Sequence, residues 1–288
     1  MVGSRPRKVP ARLFVALVGA LLCALLFAPG LAVAKKGRGK PTPTPTPQAS
    51  PTPAPEAAEP TPAAGPQQSP PPGLDAVGER LWHYQTGDAR GALGPFLGQA
   101  DANGYVATAA GRVLEQEKKY GDAEARLRKA TELLPDEPAA YVYLGEVYLR
   151  QKREGDASTA FGRAAELARA RGGAEAAYYL GVAQQRLRKY DEAVATLQGA
   201  SAPAPALIPF QIGVTRAFQG SWQAAADQLD RAIEADSGLA YAYYYRGMVQ
   251  DKLGHKDRLV NDMDRFLALA PDAPEADQAR AVLRAVKH

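Results

Sequence analysis

The chain has 288 residues, with 35 Lys or Arg against 31 Asp or Glu, and one cysteine. A single cysteine excludes a disulfide framework and a structural cysteine-type zinc site. The formal charge of +4 belongs to the N-terminal part. Residues 73–288 carry 27 basic and 29 acidic residues, a balance unsuited to neutralising a phosphate backbone, so no nucleic-acid partner is expected.

The first segment, residues 1–34, has the layout of a secretory leader. Arg5, Arg7, Lys8 and Arg12 precede an apolar run from Leu13 to Ala28. Pro29-Gly30 then breaks the helix ahead of Ala32-Val33-Ala34, a small-x-small cleavage site. Cleavage is expected after Ala34, with export to the periplasm or cell envelope. The other reading is an uncleaved anchor. Residues 13–34 are about long enough to cross a bilayer, and Lys35, Lys36, Arg38 and Lys40 flank them on the far side. Cys23 lies inside this run, so cleavage leaves a cysteine-free protein suited to an oxidising compartment.

Residues 35–72 follow, and 13 of the chain's 24 prolines fall between Pro41 and Pro72. Proline fixes φ and removes backbone donors, so this stretch is expected to be a disordered, partly polyproline II linker. At about 3.1 Å per residue it reaches on the order of 100 Å, enough to hold a folded domain away from a surface.

From residue 73 onward one pattern repeats. Gly111, Gly145, Gly181, Gly213 and Gly247 stand 34, 36, 32 and 34 residues apart. Around Gly145 the segment reads Tyr141, Leu144, Tyr148, then Ala157, Phe161 and Ala164. Leu114, Ala123 and Leu127 occupy the matching places one period earlier, and Ala193, Leu197, Ala225, Leu229, Leu259, Met263 and Phe266 later ones. Gly172-Gly173 lengthens one junction, and Ser201 to Pro209 shortens the next. Turns are expected at Lys119–Asp122, Gly155, Lys189–Asp191, Gly220-Ser221 and Gly254.

This spacing resembles the tetratricopeptide repeat of bacterial exported or envelope proteins, in which each 34-residue unit is a helical hairpin. The resemblance implies an all-α, right-handed superhelical solenoid. Its repeats fall at about 73–103, 104–137, 138–171, 174–205, 206–239 and 240–273, with a capping helix over 274–288. The first repeat is the weakest, because Arg80 stands at the glycine position and Pro95 interrupts the second helix. The cap is expected to turn Glu275, Asp277, Gln278, Arg280 and Arg284 outward. One hairpin cannot bury its own apolar face, so the units must stack.

Chemistry is sparse. His83, His255 and His288 lie far apart along a solenoid, and no phosphate-binding or hydrolase motif occurs. No metal site, cofactor or catalytic residue is expected, so the protein reads as a non-enzyme. Asp262 and Asp264 read as part of a solvated face.

The outstanding feature is tyrosine, of which there are 13. In the family, one face of each first helix lines a concave groove. Here that face holds Tyr105, Tyr143, Tyr178, Tyr179, Phe210, Tyr241, Tyr244 and Tyr245, with only Arg112, Arg150, Arg186 and Lys252 interspersed. Aromatic rings of this kind anchor a protein or peptide partner. They equally suit packing between neighbouring hairpins. The resemblance therefore implies a non-catalytic interaction scaffold in the cell envelope, or an assembly or export chaperone that holds clients transiently in the groove.

Overall fold

The computed structural model describes residues 68–287 with the exception of Pro203. The leader, its cleavage site, the anchor over residues 13–34 and the linker through residue 67 lie outside the described residues, as does His288.

Thirteen α-helices and no strand occur among the described residues. They pair as six hairpins: α1 Asp75–Trp82 with α2 Thr86–Leu93, α3 Gly104–Gln116 with α4 Tyr120–Leu133, and α5 Pro138–Arg150 with α6 Glu154–Arg171. Then come α7 Gly173–Arg186 with α8 Tyr190–Gln198, α9 Leu207–Phe218 with α10 Trp222–Ala235, and α11 Ala240–Lys252 with α12 Lys256–Leu269. The last helix, α13 Ala276–Lys287, packs on α12. The first helices of successive hairpins lie side by side, α3 with α5, α5 with α7, α7 with α9 and α9 with α11. They form an inner layer, and the second helices form an outer one.

Each hairpin turns at one residue in the left-handed region: Tyr84, Lys118, Lys152, Arg188, Gly220 and Gly254, with φ between 58° and 80°. Two backbone bonds close each turn. At Lys118 its N–H donates to Glu115 and the next N–H donates to Leu114, the double closure that satisfies a helix's last carbonyls. The turn expected at Gly155 is centred on Lys152 instead, and Gly155 lies in the first turn of α6.

Counting back seven residues from each turn gives Gly111, Gly145, Gly181, Gly213 and Gly247, and in the first hairpin Val77. The expected equivalence of Arg80 is thus corrected by three residues. Val77 is fully buried there, so the first hairpin lacks the close approach that glycine allows.

The glycines matter because of what faces them. Sixteen residues after each stands Leu127, Phe161, Leu197, Leu229 or Met263, all at most 1% exposed. A Cβ added to Gly181 would come within 2.6 Å of Leu197 Cγ and 3.4 Å of the Ala193 carbonyl. Burying each bulky partner contributes about 2–3 kcal/mol, and the glycine lets the helices come near enough to do it.

The irregular junctions have local causes. α6 runs on to Arg171 and ends at Gly172 and Gly173, both at positive φ. α8 stops at Gln198 ahead of the proline-containing stretch that leads into α9. Pro95 falls in a 3₁₀ turn, Gly94–Gln99, that ends the first hairpin.

The folded unit also takes residues from the linker. Gln68 Oε1 accepts from the N–H of Gly104 at 2.7 Å, and its Nε2 donates to the Ala102 carbonyl. Asn103 Nδ2 donates to Ser69, while its Oδ1 caps α3 by accepting from Tyr105 and Val106. Gln68 and Ser69, expected in the linker, thus pack against the start of α3.

Gly181→Ala should overpack the seam and lower stability by about 1–3 kcal/mol, read from a denaturant melt monitored by circular dichroism. Gly121→Ala, where an added Cβ meets nothing within 4 Å, should not lower it.

Candidate functional site

The inner layer carries all eight aromatic residues expected to line a groove. The structure buries seven of them. Tyr143, Tyr178, Tyr179, Phe210, Tyr241, Tyr244 and Tyr245 are at most 4% exposed, and Tyr105 is half-buried. The two clusters form separate ring stacks. Tyr178 meets Tyr179 edge-on at 5.3 Å. Tyr241, Tyr244 and Phe266 close into a triangle at 5.0–6.2 Å, and Tyr245 joins Tyr244 to Phe210. The rings fill the space between hairpins, so in this state they do not present an open wall.

Contacts also close across the inner layer. His83 Nε2, at the tip of the first hairpin, lies 2.8 Å from Asp236 Oδ2 at the end of α10. Tyr84 beside it meets Tyr241 of α11 edge-on at 5.6 Å. Arg150, at the end of α5, donates to Glu275 next to α13 at 2.9 Å. These contacts join residues 125 or more positions apart in sequence.

Charged groups converge on this axis. Arg150 also donates to Glu115 at 3.0 Å, and Glu275 accepts from the Tyr241 hydroxyl at 2.5 Å. Arg186 donates to Glu146 at 2.5 Å. Arg112 lies 4.5 Å over the Tyr143 ring. Three arginines thus stand with three glutamates in an inner layer whose Arg150 and Arg186 side chains are about 5% exposed. Sequence reasoning noticed the arginines but missed Glu115, Glu146 and Glu275. Acid–base pairs one hairpin along, or across the axis, leave no local pattern.

Glu275 corrects one expectation directly. It is buried at 8% exposure, while Asp277, Arg280 and Arg284 of the cap do face outward. Asp262 corrects another. It is 4% exposed and takes two guanidinium bonds from Arg246, at 2.9 and 2.6 Å, so it is not on a solvated face.

Burial shifts the ionisation of this layer. Loss of solvent pushes the Glu146 carboxyl above its usual range, against the pull of Arg186. Burial opposes the charge on Arg150, but Glu115 and then Glu275 outweigh it and hold the guanidinium charged. Burial, then the Glu275 charge, push the Tyr241 hydroxyl far up, so it remains a donor. A cavity of about 20 Å³ remains among Trp82, Tyr84, Arg112, Glu115, Tyr143 and Tyr241. That holds about one water molecule.

The described histidines serve the fold: His83 pairs with Asp236, and His255 Nδ1 lies 2.7 Å from Gln250 Oε1. Among the described residues no group of three His, Cys, Asp or Glu side chains could hold a metal ion. No described helix is long and apolar enough to cross a membrane.

Residues 114–169 match the tetratricopeptide repeat family model. No curated protein matches the chain by sequence. Among solved structures, a tetratricopeptide repeat protein from Parabacteroides merdae shares 12% identity at a TM-score of 0.52, covering 75% of this chain and 83% of that one. A thermophilic tetratricopeptide repeat protein of Thermus thermophilus shares 18% at 0.50, covering 63% and 97%. The human IFIT1 dimer shares 14% at 0.52, covering 69% of this chain and 49% of that chain. Likeness at these identities is likeness of fold. The described residues share the all-α solenoid fold of these tetratricopeptide repeat proteins.

Burial of Tyr178 gives a direct expectation. Tyr178→Ala empties a fully enclosed site and should lower stability by about 3–5 kcal/mol in a denaturant melt. Tyr105→Ala, at a half-buried ring, should cost clearly less.

Proposed function

We propose that this tetratricopeptide-repeat chain is a non-catalytic protein-interaction scaffold of the bacterial cell envelope, with a polypeptide partner on its inner face. One observation carries the reading. Six stacked hairpins place their first helices side by side, so a single face runs the length of the solenoid, with an aromatic ring on each of the five inner helices from α3 onward and Tyr84 in the turn after α1. Rigid rings with a polar tip are common interface anchors. Tetratricopeptide folds serve generally as non-catalytic protein-binding scaffolds, and the buried Arg150, Arg186, Glu146 and Glu275 of the inner layer are engaged in pairs.

The leader and linker support the location. A basic, apolar and small-x-small N-terminus ahead of a proline-rich spacer suits a domain displayed beyond the inner membrane, released by cleavage or held by an anchor at residues 13–34. Sequencing the N-terminus of the mature protein should find Lys35 first. A start at Met1 or Val2 in the membrane fraction would establish the anchor instead.

The partner is tested in intact cells with a photocrosslinking side chain at Tyr105, the half-buried inner ring, and as a control at exposed Lys256 on the outer layer. A scaffold should capture one polypeptide of defined mass from Tyr105 and not from Lys256. A broad ladder of masses from Tyr105 would mark a client-holding chaperone. Equal capture from both positions, or capture from neither, would defeat an inner-face site.

A further inference from the structure

We infer that the first hairpin is a displaceable latch, and that its tip occupies the seat of a partner segment in which a basic side chain directly precedes an aromatic ring. This rests on the inner-face reading above and adds its regulation and the chemistry of its ligand.

The tip is His83-Tyr84, the turn between α1 and α2. Its imidazole meets Asp236 at 2.8 Å, and the ring stands so near the next loop that a Cβ on Gly238 would come 3.1 Å from His83 Cδ2. The Tyr84 ring meets Tyr241, whose own hydroxyl is held by Glu275. The seat is therefore a carboxylate beside an oriented tyrosine ring. It selects a hydrogen-bonding basic side chain with an aromatic neighbour, which is what the chain's own loop supplies.

Two features make this occupant easy to displace. The pair at its centre is water-accessible, with His83 and Asp236 side chains 33% and 27% exposed, and such pairs hold weakly. The hairpin behind it is the weakest of the six. Its helices have eight residues each, its seam has Val77 in place of glycine, and α2 contains Gly87 and Gly91, poor helix formers. Tyr84 holds the same left-handed turn as Lys118, Lys152 and Arg188, at φ 58°. The hairpin itself packs on α3 through Val77, Leu81, Ala89 and Leu93, so it is the tip, and not that core, that opens locally while the remainder stays folded. Beneath the tip a small cavity is lined by Tyr241, Glu115 and Arg112 together with Leu81, Leu127 and Val147.

The full-length protein tests this with a synthetic peptide of residues 78–89 as probe. The variant His83→Ala with Tyr84→Gly removes both tip groups and suits the left-handed turn. It should bind the probe at least tenfold more tightly than wild type, because the seat is vacant. Adding Asp236→Ala should abolish that gain. His83→Ala alone, which leaves the turn untouched, should give the same ordering with a smaller increase and guards against misfolding of the double variant. A variant that binds the probe no better than wild type, whether both bind or neither does, overturns the latch, as does a gain that survives Asp236→Ala. A latch that behaves as stated in a protein that captures no partner in cells would instead defeat the scaffold reading.

Discussion

Five glycines, each sixteen residues ahead of a bulky side chain, set how near the two helices of a hairpin lie. Larger features of the fold follow from that spacing. At Gly145 the Phe161 ring occupies the volume a Cβ would need, 2.7 Å from its place. Helices that close bury Leu127, Phe161, Leu197, Leu229 and Met263 almost completely. With each hairpin narrow, the first helix of one unit reaches the first helix of the next, and a separate inner layer results. The first hairpin shows the converse. Val77 keeps its helices from the same approach, its second helix is short, and it dissolves into a 3₁₀ turn.

An inner layer built this way gathers side chains toward a common axis, and in this chain many are polar. Arg150 lies between Glu115 and Glu275, and Arg186 against Glu146, nearly out of contact with water. Desolvating such charges costs about as much as their attraction returns, so they add little over apolar residues of equal volume. Removing one partner leaves a buried charge unmatched, which is far more costly. The network therefore decides which helices may face each other. Arg150 accepts only an arrangement that brings α13 round to α5. A solenoid held only by neighbouring units has no such long-range restraint.

The period, the hairpins and the seam were legible in the sequence because each rests on local spacing. Gly145 and Phe161 are sixteen residues apart, and their roles follow from helix geometry. The inner rings were legible as a type but not in their exposure. Tyrosine serves equally as an anchor or as packing, and only the stacking of the hairpins decides which. Closure across the inner layer depends on His83 with Asp236 and on Arg150 with Glu275, pairs separated by 153 and 125 residues. Nothing near either member announces its partner. Glu275 read as a solvated capping residue because the residues after it are, and Asp262 misled in the same way. Val77 was missed for a different reason. Alignment on an expected glycine fails where glycine is absent, and the left-handed turn seven residues later supplies the register instead.

Closure also changes the energetics of recognition. In an open array a partner meets a waiting surface, and its affinity reflects contacts alone. Here the inner side chains already hold one another, and the first hairpin, joined through the same chain, competes at a high effective concentration. A ligand's apparent affinity is then its intrinsic affinity multiplied by the fraction of molecules that are open. Contacts that merely add to the closed state gain nothing from opening. Contacts that replace those of His83 and Tyr84 recover what opening costs. Selectivity in such a solenoid falls to partners that imitate the protein's own latch, because buried rings offer loosely apolar chains no exposed tyrosine wall.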